Sequence, residues 1–151
     1  MGEPRRIADQ LRRSVNGVAW HGPSLLEILG DVTADDARAR PVASVHSIAE
    51  IVAHVTAWMV AAHRGLDGDV VLLQGDADWP TPGEWSVTLS AMRETAMHLA
   101  ARVEPLTDDD LKVNVRTADA EYSRYFLLHG VIQHNLYHAG QLALLKKALR
   151  S

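Results

Sequence analysis

The chain has 151 residues, of which 47% are hydrophobic, so residues 1–151 are long enough to bury one core and are expected to form a single domain. A formal net charge of −4 argues against a nucleic-acid binder that neutralises phosphates, and the absence of cysteine excludes disulfides and thiolate metal ligands. No apolar run approaches about 18 residues and no signal-type core opens the chain, which predicts a cytoplasmic protein with no membrane partner.

Apolar residues recur at helical spacing in four segments. The first is interrupted by Gly17 and by the His21-Gly22-Pro23 triplet, after which it continues as a short helix. Ser47 followed by Glu50 matches a capping box at the start of the second segment. The predicted helices cover residues 4–16 (with 24–29 as the continuation), 47–65, 85–103 and 125–149.

Three segments without helical periodicity separate these helices. Residues 31–41 and 108–119 are expected to be polar connectors. Residues 66–83 form a long crossover between the second and third helices, in which 70–73 can be a short extended piece. Two hairpin-like helix pairs joined by this crossover predict an all-α four-helix bundle.

His134 and His138 are four residues apart on the last helix, which places both imidazoles on one side, about 5.4 Å apart along the axis. This face is apolar and is the one that a bundle would bury, since it carries at helical spacing Leu127, Val131, Leu142 and Leu145. Buried polar rings cost free energy unless they find partners. A shared metal ion provides such a partner, and so do hydrogen bonds within the core; the spacing alone leaves both explanations open.

His54 is the third candidate ligand, because it lies between Ile51 and Trp58 on the core-facing side of the second helix. Three neutral imidazoles with an open position are typical of a catalytic metal site. His98, on the third helix, is a candidate fourth ligand. The other histidines either sit at element boundaries or face away from the predicted core, and they are His21, His46, His63 and His129.

Two segments carry a family resemblance: HSIAEIVAHVTAW over residues 46–58 and HGVIQHNLYHAGQ over residues 129–141. Both resemble the signature segments of the DinB/YfiT-like superfamily, and residues 20–27 resemble the N-terminal part of one of its branches. The similarity covers nearly the whole chain. The last segment is the most specific, because it combines the histidine pair with a tyrosine and a Gly-Gln at fixed offsets.

The resemblance implies a four-helix bundle that holds a divalent metal through His54, His134 and His138. Nickel or zinc is the metal implied, with iron and manganese as alternatives. Characterised relatives depend on thiols: they transfer bacillithiol, or use mycothiol as in maleylpyruvate isomerase. Because this chain has no cysteine, a low-molecular-weight thiol would have to arrive as a cosubstrate. The resemblance also implies a homodimer.

Four further residues each have two interpretations. Glu50 can be a base or a ligand-orienting group, or only the capping-box carboxylate. Gln141 and Tyr137 can contact a metal-bound species, or make helix-packing hydrogen bonds. Trp58 can line a pocket or belong to the core.

The first functional hypothesis is a metal-dependent transferase or hydrolase that acts on a small-molecule substrate, with a metal-activated thiol or water. The alternative is a non-enzymatic, stress-linked metal-binding or sensor protein. A purely apolar bundle that pairs with another chain ranks last.

Overall fold

The computed structural model describes residues 1–151 and is mostly helical, with only a small two-stranded sheet, so the predicted all-α fold is confirmed. None of these helices is at once long and apolar enough to cross a membrane. The helices are α1 (Glu3–Val15), α2 (Leu25–Leu29), α3 (Ala34–Arg38), α4 (Ile48–Leu66), α5 (Trp85–Val103) and α6 (Arg124–Leu149). A two-stranded hairpin of β1 (Asn114–Arg116) and β2 (Glu121–Ser123) precedes α6, and single 3-10 turns occur at Gly75–Ala77 and Asp110–Lys112.

The four long helices form the bundle, and α1 and α4 each pack against both α5 and α6. Therefore α1 lies diagonally across from α4, and α5 lies diagonally across from α6. The expected hairpin pairs are wrong, because the consecutive helices of each pair are the diagonal ones. The long crossover, residues 67–84, instead joins two neighbours, α4 and α5.

The interior of the bundle is one cluster of 32 buried hydrophobic side chains. It is almost purely aliphatic, since the single Phe of the chain, Phe126, is 64% exposed. The largest fully buried side chains come from every long helix and include Leu11, Ile51, Met59, Met92, Leu99, Leu128 and Leu142. An aliphatic interior offers no hydrogen bonds, so any polar group inside it must find its partner in another polar group.

The capping box predicted at Ser47 is present at the start of α4. The Ser47 hydroxyl accepts a hydrogen bond from the backbone N–H of Glu50, and Glu50 Oε2 accepts one from the backbone N–H of Ser47. A second capping box, formed by Thr33 and Asp36, starts α3. Residues 31–41 are therefore more than a connector: a Thr-x-x-Asp signal in them starts a short helix, α3.

The 108–119 connector is also more structured than its polarity suggests. β1 pairs with β2 in antiparallel register, with Val115 opposite Tyr122. The predicted extended piece at 70–73 is not a strand, but the Val71 N–H donates to the carbonyl of Arg116 at 2.8 Å and so runs beside β1. The hairpin fixes where α6 starts and places Tyr122 beside its first turns.

Gly65, near the end of α4, has Val71 packed directly against it. A Cβ added at Gly65 would overlap Cγ2 of Val71, a stiff β-branched side chain that is itself buried. We expect Gly65→Ala to lower the free energy of unfolding by about 1–3 kcal/mol. Chemical denaturation followed by circular dichroism measures this change.

Gly140 in α6 is the matched control, because a Cβ added there meets nothing within 4 Å. Alanine replaces glycine in an open helix position with a gain of about 0.5–1 kcal/mol, so Gly140→Ala should be neutral or stabilising. Equal stabilisation by both substitutions would contradict the close contact between α4 and Val71.

Candidate metal centre

The structure brings the three predicted ligands together between α4 and α6. Nε2 of His134 lies 3.1 Å from Nε2 of His54 and 3.1 Å from Nε2 of His138. The ligand nitrogens of the three residues all lie within 4.8 Å of one another. Nitrogens that each bind one metal at about 2.0–2.1 Å in adjacent positions are about 3 Å apart, so the spacing around His134 suits a shared ion.

The other ring nitrogen of two of these histidines is held by an acceptor. Nδ1 of His54 lies 2.7 Å from the main-chain carbonyl oxygen of Asp78, and Nδ1 of His138 lies 2.7 Å from Oε1 of Gln141. Because these oxygens only accept, each Nδ1 carries the proton and donates it. In a neutral ring this leaves Nε2 as the lone-pair atom, and both Nε2 atoms lie 3.1 Å from Nε2 of His134.

His134 cannot satisfy both of these lone pairs. Its Nδ1 is buried without a hydrogen-bond partner, and its Nε2 can donate to only one neighbour. At least one of the two 3.1 Å contacts therefore sets lone pair against lone pair. A cation among the three nitrogens would convert this repulsion into coordination, so the donor set fits a metal ion.

The electrostatics favour uncharged rings. Burial, with the neighbouring His138 and His54, lowers the pKa of His134 from its ordinary 6.5 to about 4. Burial likewise lowers the pKa of His138, although its hydrogen bond to Gln141 works in the opposite direction. At neutral pH both rings are therefore unprotonated, which is the form of imidazole that binds metals.

Asp78, in the crossover between α4 and α5, supports His54 and was not found by the sequence reasoning. Besides its carbonyl contact, its Oδ1 lies 3.2 Å from Nδ1 of His54 and accepts a 2.7 Å hydrogen bond from the indole N–H of Trp58. Oxygen acceptors behind ligand histidines are the usual way in which a metal ligand is oriented. No periodicity marks a loop residue of this kind, so the sequence carried no signal for it.

Trp79, the next residue, lies between two histidine rings. Its ring is stacked on His54, with centroids 3.9 Å apart and planes 9° apart, and on His46, with centroids 3.6 Å apart and planes 8° apart. The sequence placed His46 at an element boundary, which is where it lies, but not its part in this stack. The stack fixes the plane of the His54 ring and covers one of its faces.

Two of the four residues with open interpretations are now assigned by their contacts. Glu50 serves the capping box and pairs with Arg40 at 2.6 Å, which leaves it committed to the helix terminus. Gln141 does not pack between helices; it accepts from His138 one turn earlier on α6.

The aromatic candidates lie at the edge of the site. Trp58 is half-buried beside His134 and packs against the core. Tyr137 is 65% exposed and presents its ring at the edge of His138. His98 is exposed on α5 and is not a fourth member of the cluster.

A cavity of about 400 Å³ opens beside His54 and His134. This volume is at the small end of the range for ligand pockets. The remaining lining residues come from α4, the crossover, β2 and α6, and they are Trp58, Asp78, Tyr122, Phe126, Leu127, Gly130 and Val131. The three histidines thus form a candidate set of metal ligands, and a largely apolar cavity lies next to them.

Residues 19–142 match the sequence model of the DinB superfamily, and this span includes all three clustered histidines. The chain belongs to the DinB superfamily. The predicted family resemblance is thereby confirmed at the level of the superfamily. No curated protein sequence matches the chain. Membership and the three-histidine cluster are together compatible with metal binding.

The lowered pKa of His134 predicts a distinctive titration in metal-free protein. We expect its ring carbon-bound protons to shift with a midpoint near pH 4, well below 6.5, in NMR spectra assigned with a His134→Gln variant. Between these two pH values the unfolded chain binds the proton and the folded chain does not, so stability is lost as the pH falls through this window.

The variant supplies the control for the stability measurement. Thermal melting of metal-free His134→Gln should depend less on pH between 6.5 and 4 than melting of the unmodified protein. A His134 midpoint near 6.5 would contradict the buried, charge-excluding environment described above.

Proposed function

We propose that this DinB-superfamily protein is a metal-dependent transferase or hydrolase of small molecules, with His54, His134 and His138 as the metal ligands. The observation that carries the proposal is the convergence of three imidazole Nε2 atoms. Because Nδ1 of His54 and Nδ1 of His138 each donate to an oxygen, the Nε2 atoms of these two rings are the ones that face His134. A divalent cation held by three neutral imidazoles with an open position supplies Lewis-acid chemistry, which lowers the pKa of a bound water or thiol.

The nature of the donors supports nickel or zinc as the metal. Imidazole nitrogen suits zinc, nickel, copper and iron, whereas magnesium and calcium prefer oxygen ligands. The cluster contains no carboxylate and the chain contains no cysteine. Iron and manganese remain alternatives, because affinities of such sites depend on metal supply as well as on the ligands.

The residues around the cluster have separate tasks in this proposal. The carbonyl of Asp78 and the amide oxygen of Gln141 hold the Nδ1 protons, so that His54 and His138 keep their Nε2 atoms turned to the centre. Trp79 covers one face of the His54 ring against water.

The substrate would bind in the adjoining cavity, where His54 and His134 form part of the wall. Since the chain supplies no thiol of its own, a thiol nucleophile would come from a low-molecular-weight cosubstrate. The homodimer and the cytoplasmic location stay predictions.

The first test is the metal content of the purified protein. We expect about one divalent ion per chain by elemental analysis, because three ligands from two rigid helices give a preorganised site. His134→Ala should remove it, since His134 lies at hydrogen-bonding distance from both other rings. Full metal loading of His134→Ala would contradict the assigned ligands.

Gln141 offers a finer test, because it is not one of the three clustered histidines and its amide oxygen contacts Nδ1 of His138. We expect Gln141→Leu to weaken metal binding about 10–100-fold in competition titrations with a chelator. Gln133→Leu is the matched control, because Gln133 lies exposed on the same helix outside the cluster. Equal metal affinities of the two variants would show that Gln141 does not support metal binding.

Turnover distinguishes an enzyme from a metal-binding sensor. Metal-loaded protein, incubated with a panel of bacterial thiols and small electrophiles, should accelerate conjugation or hydrolysis, and His138→Ala should reduce the rate to the background. A stoichiometric metal together with identical rates for the unmodified protein and His138→Ala would favour the non-enzymatic alternative.

A further inference from the structure

The cavity beside the histidine cluster is lined by few charged side chains. Asp78 is the only Asp, Glu, Lys or Arg in its lining. Its Oδ1 already accepts the indole N–H of Trp58 and lies 3.2 Å from Nδ1 of His54. The cavity therefore has no Lys or Arg for an anion, and Oδ1 of its one carboxylate is engaged with its own walls.

In the metal-free protein these side chains disfavour an anionic ligand group. A carboxylate or phosphate that enters the cavity loses hydration and finds no Lys or Arg to replace it. An anionic group thus gains little from the walls and keeps most of the cost of leaving water.

The shape of the walls favours a flat apolar group. Trp58, Tyr122 and Phe126 supply aromatic surface, and the Tyr122 and Phe126 rings are tilted by 55° with centroids 5.1 Å apart. Tilted and offset arrangements are the ones in which aromatic rings attract one another. Leu127 and Val131 contribute aliphatic surface from α6.

Tyr122 supplies the only hydroxyl group of the lining. Burial raises the pKa of this hydroxyl, so it stays protonated at neutral pH and can donate a hydrogen bond. It can orient a neutral acceptor, such as a carbonyl oxygen, without carrying a charge into the cavity.

We infer that the cavity takes the aromatic or otherwise flat apolar part of a small molecule that carries no anionic group on that part, and that Trp58, Tyr122 and Phe126 determine this specificity. The inference rests on the proposed function in one respect: the bound molecule is the substrate only if the adjoining histidines hold a reactive metal. Binding itself needs no metal, so the two proposals can be tested apart.

The first arm compares two probes with one ring system in metal-free protein: 2-naphthylmethanol and 2-naphthoate. Isothermal titration calorimetry should give the neutral alcohol an affinity at least about tenfold higher than that of the anion, because the anion loses hydration without compensation. An anion that binds as tightly as the alcohol would overturn the inference.

The second arm places the binding in this cavity. Gly130 belongs to the lining, and a Cβ added there meets nothing within 4 Å, so Gly130→Leu fills empty space without straining α6. It should lower the affinity for 2-naphthylmethanol by at least about tenfold, because the side chain occupies the space of the ring. Gly140→Leu, at an equally open position outside the lining, should leave the affinity unchanged.

The metal content and melting temperature of Gly130→Leu complete the design: the metal content should match that of the unmodified protein, and the melting temperature should be no lower. If Gly130→Leu binds the alcohol as well as Gly140→Leu does, the inference fails even with a full metal site. If the alcohol binds as expected but the unmodified protein holds no metal, the inference about the cavity stands and the proposed function fails.

Discussion

The arrangement of the site depends on two protons held away from its centre. Oxygen acceptors hold the Nδ1 protons of His54 and His138. In neutral imidazole this leaves Nε2 as the nitrogen with the free lone pair, and the Nε2 atoms of both rings face His134. This requires α4 and α6 to be neighbours, as they are in a bundle whose first two long helices lie on a diagonal. It also requires an acceptor behind α4, which the bundle helices themselves do not supply.

The histidine cluster is buried in a mostly aliphatic interior. His54 and His138 are 6% and 5% exposed within a bundle whose interior is otherwise aliphatic. Asn135, next to His134 on α6, is fully buried and donates to the Ser14 hydroxyl of α1 at 3.1 Å. The interior thus contains polar groups from three helices, and the contacts between them tie the positions of these helices to one another.

The sequence predicted those parts of the molecule that repeat with the helical period. The third long helix has the predicted limits, Trp85–Val103, and the periodicity placed His54, His134 and His138 on faces that do meet. It could not rank the diagonal arrangement above the hairpin arrangement, because connection lengths allow both. Asp78 and Trp79 were missed for a different reason: they lie in a loop, where side-chain direction follows from tertiary packing and leaves no pattern in the chain.

The stack of Trp79 between His46 and His54 ties the segment before α4 to the crossover after it. The aliphatic core comes mainly from the helices, with Val71 as the buried contribution of the crossover, whereas the orienting carbonyl and the indole cover lie further along this loop. Substitutions in the loop that spare Val71 can therefore alter the geometry of the histidine cluster and the access to it with little effect on the core. Related bundles with the same three histidines could diverge in chemistry by exchanging this one stretch of chain, much as loop replacement diversifies enzymes built on a common barrel.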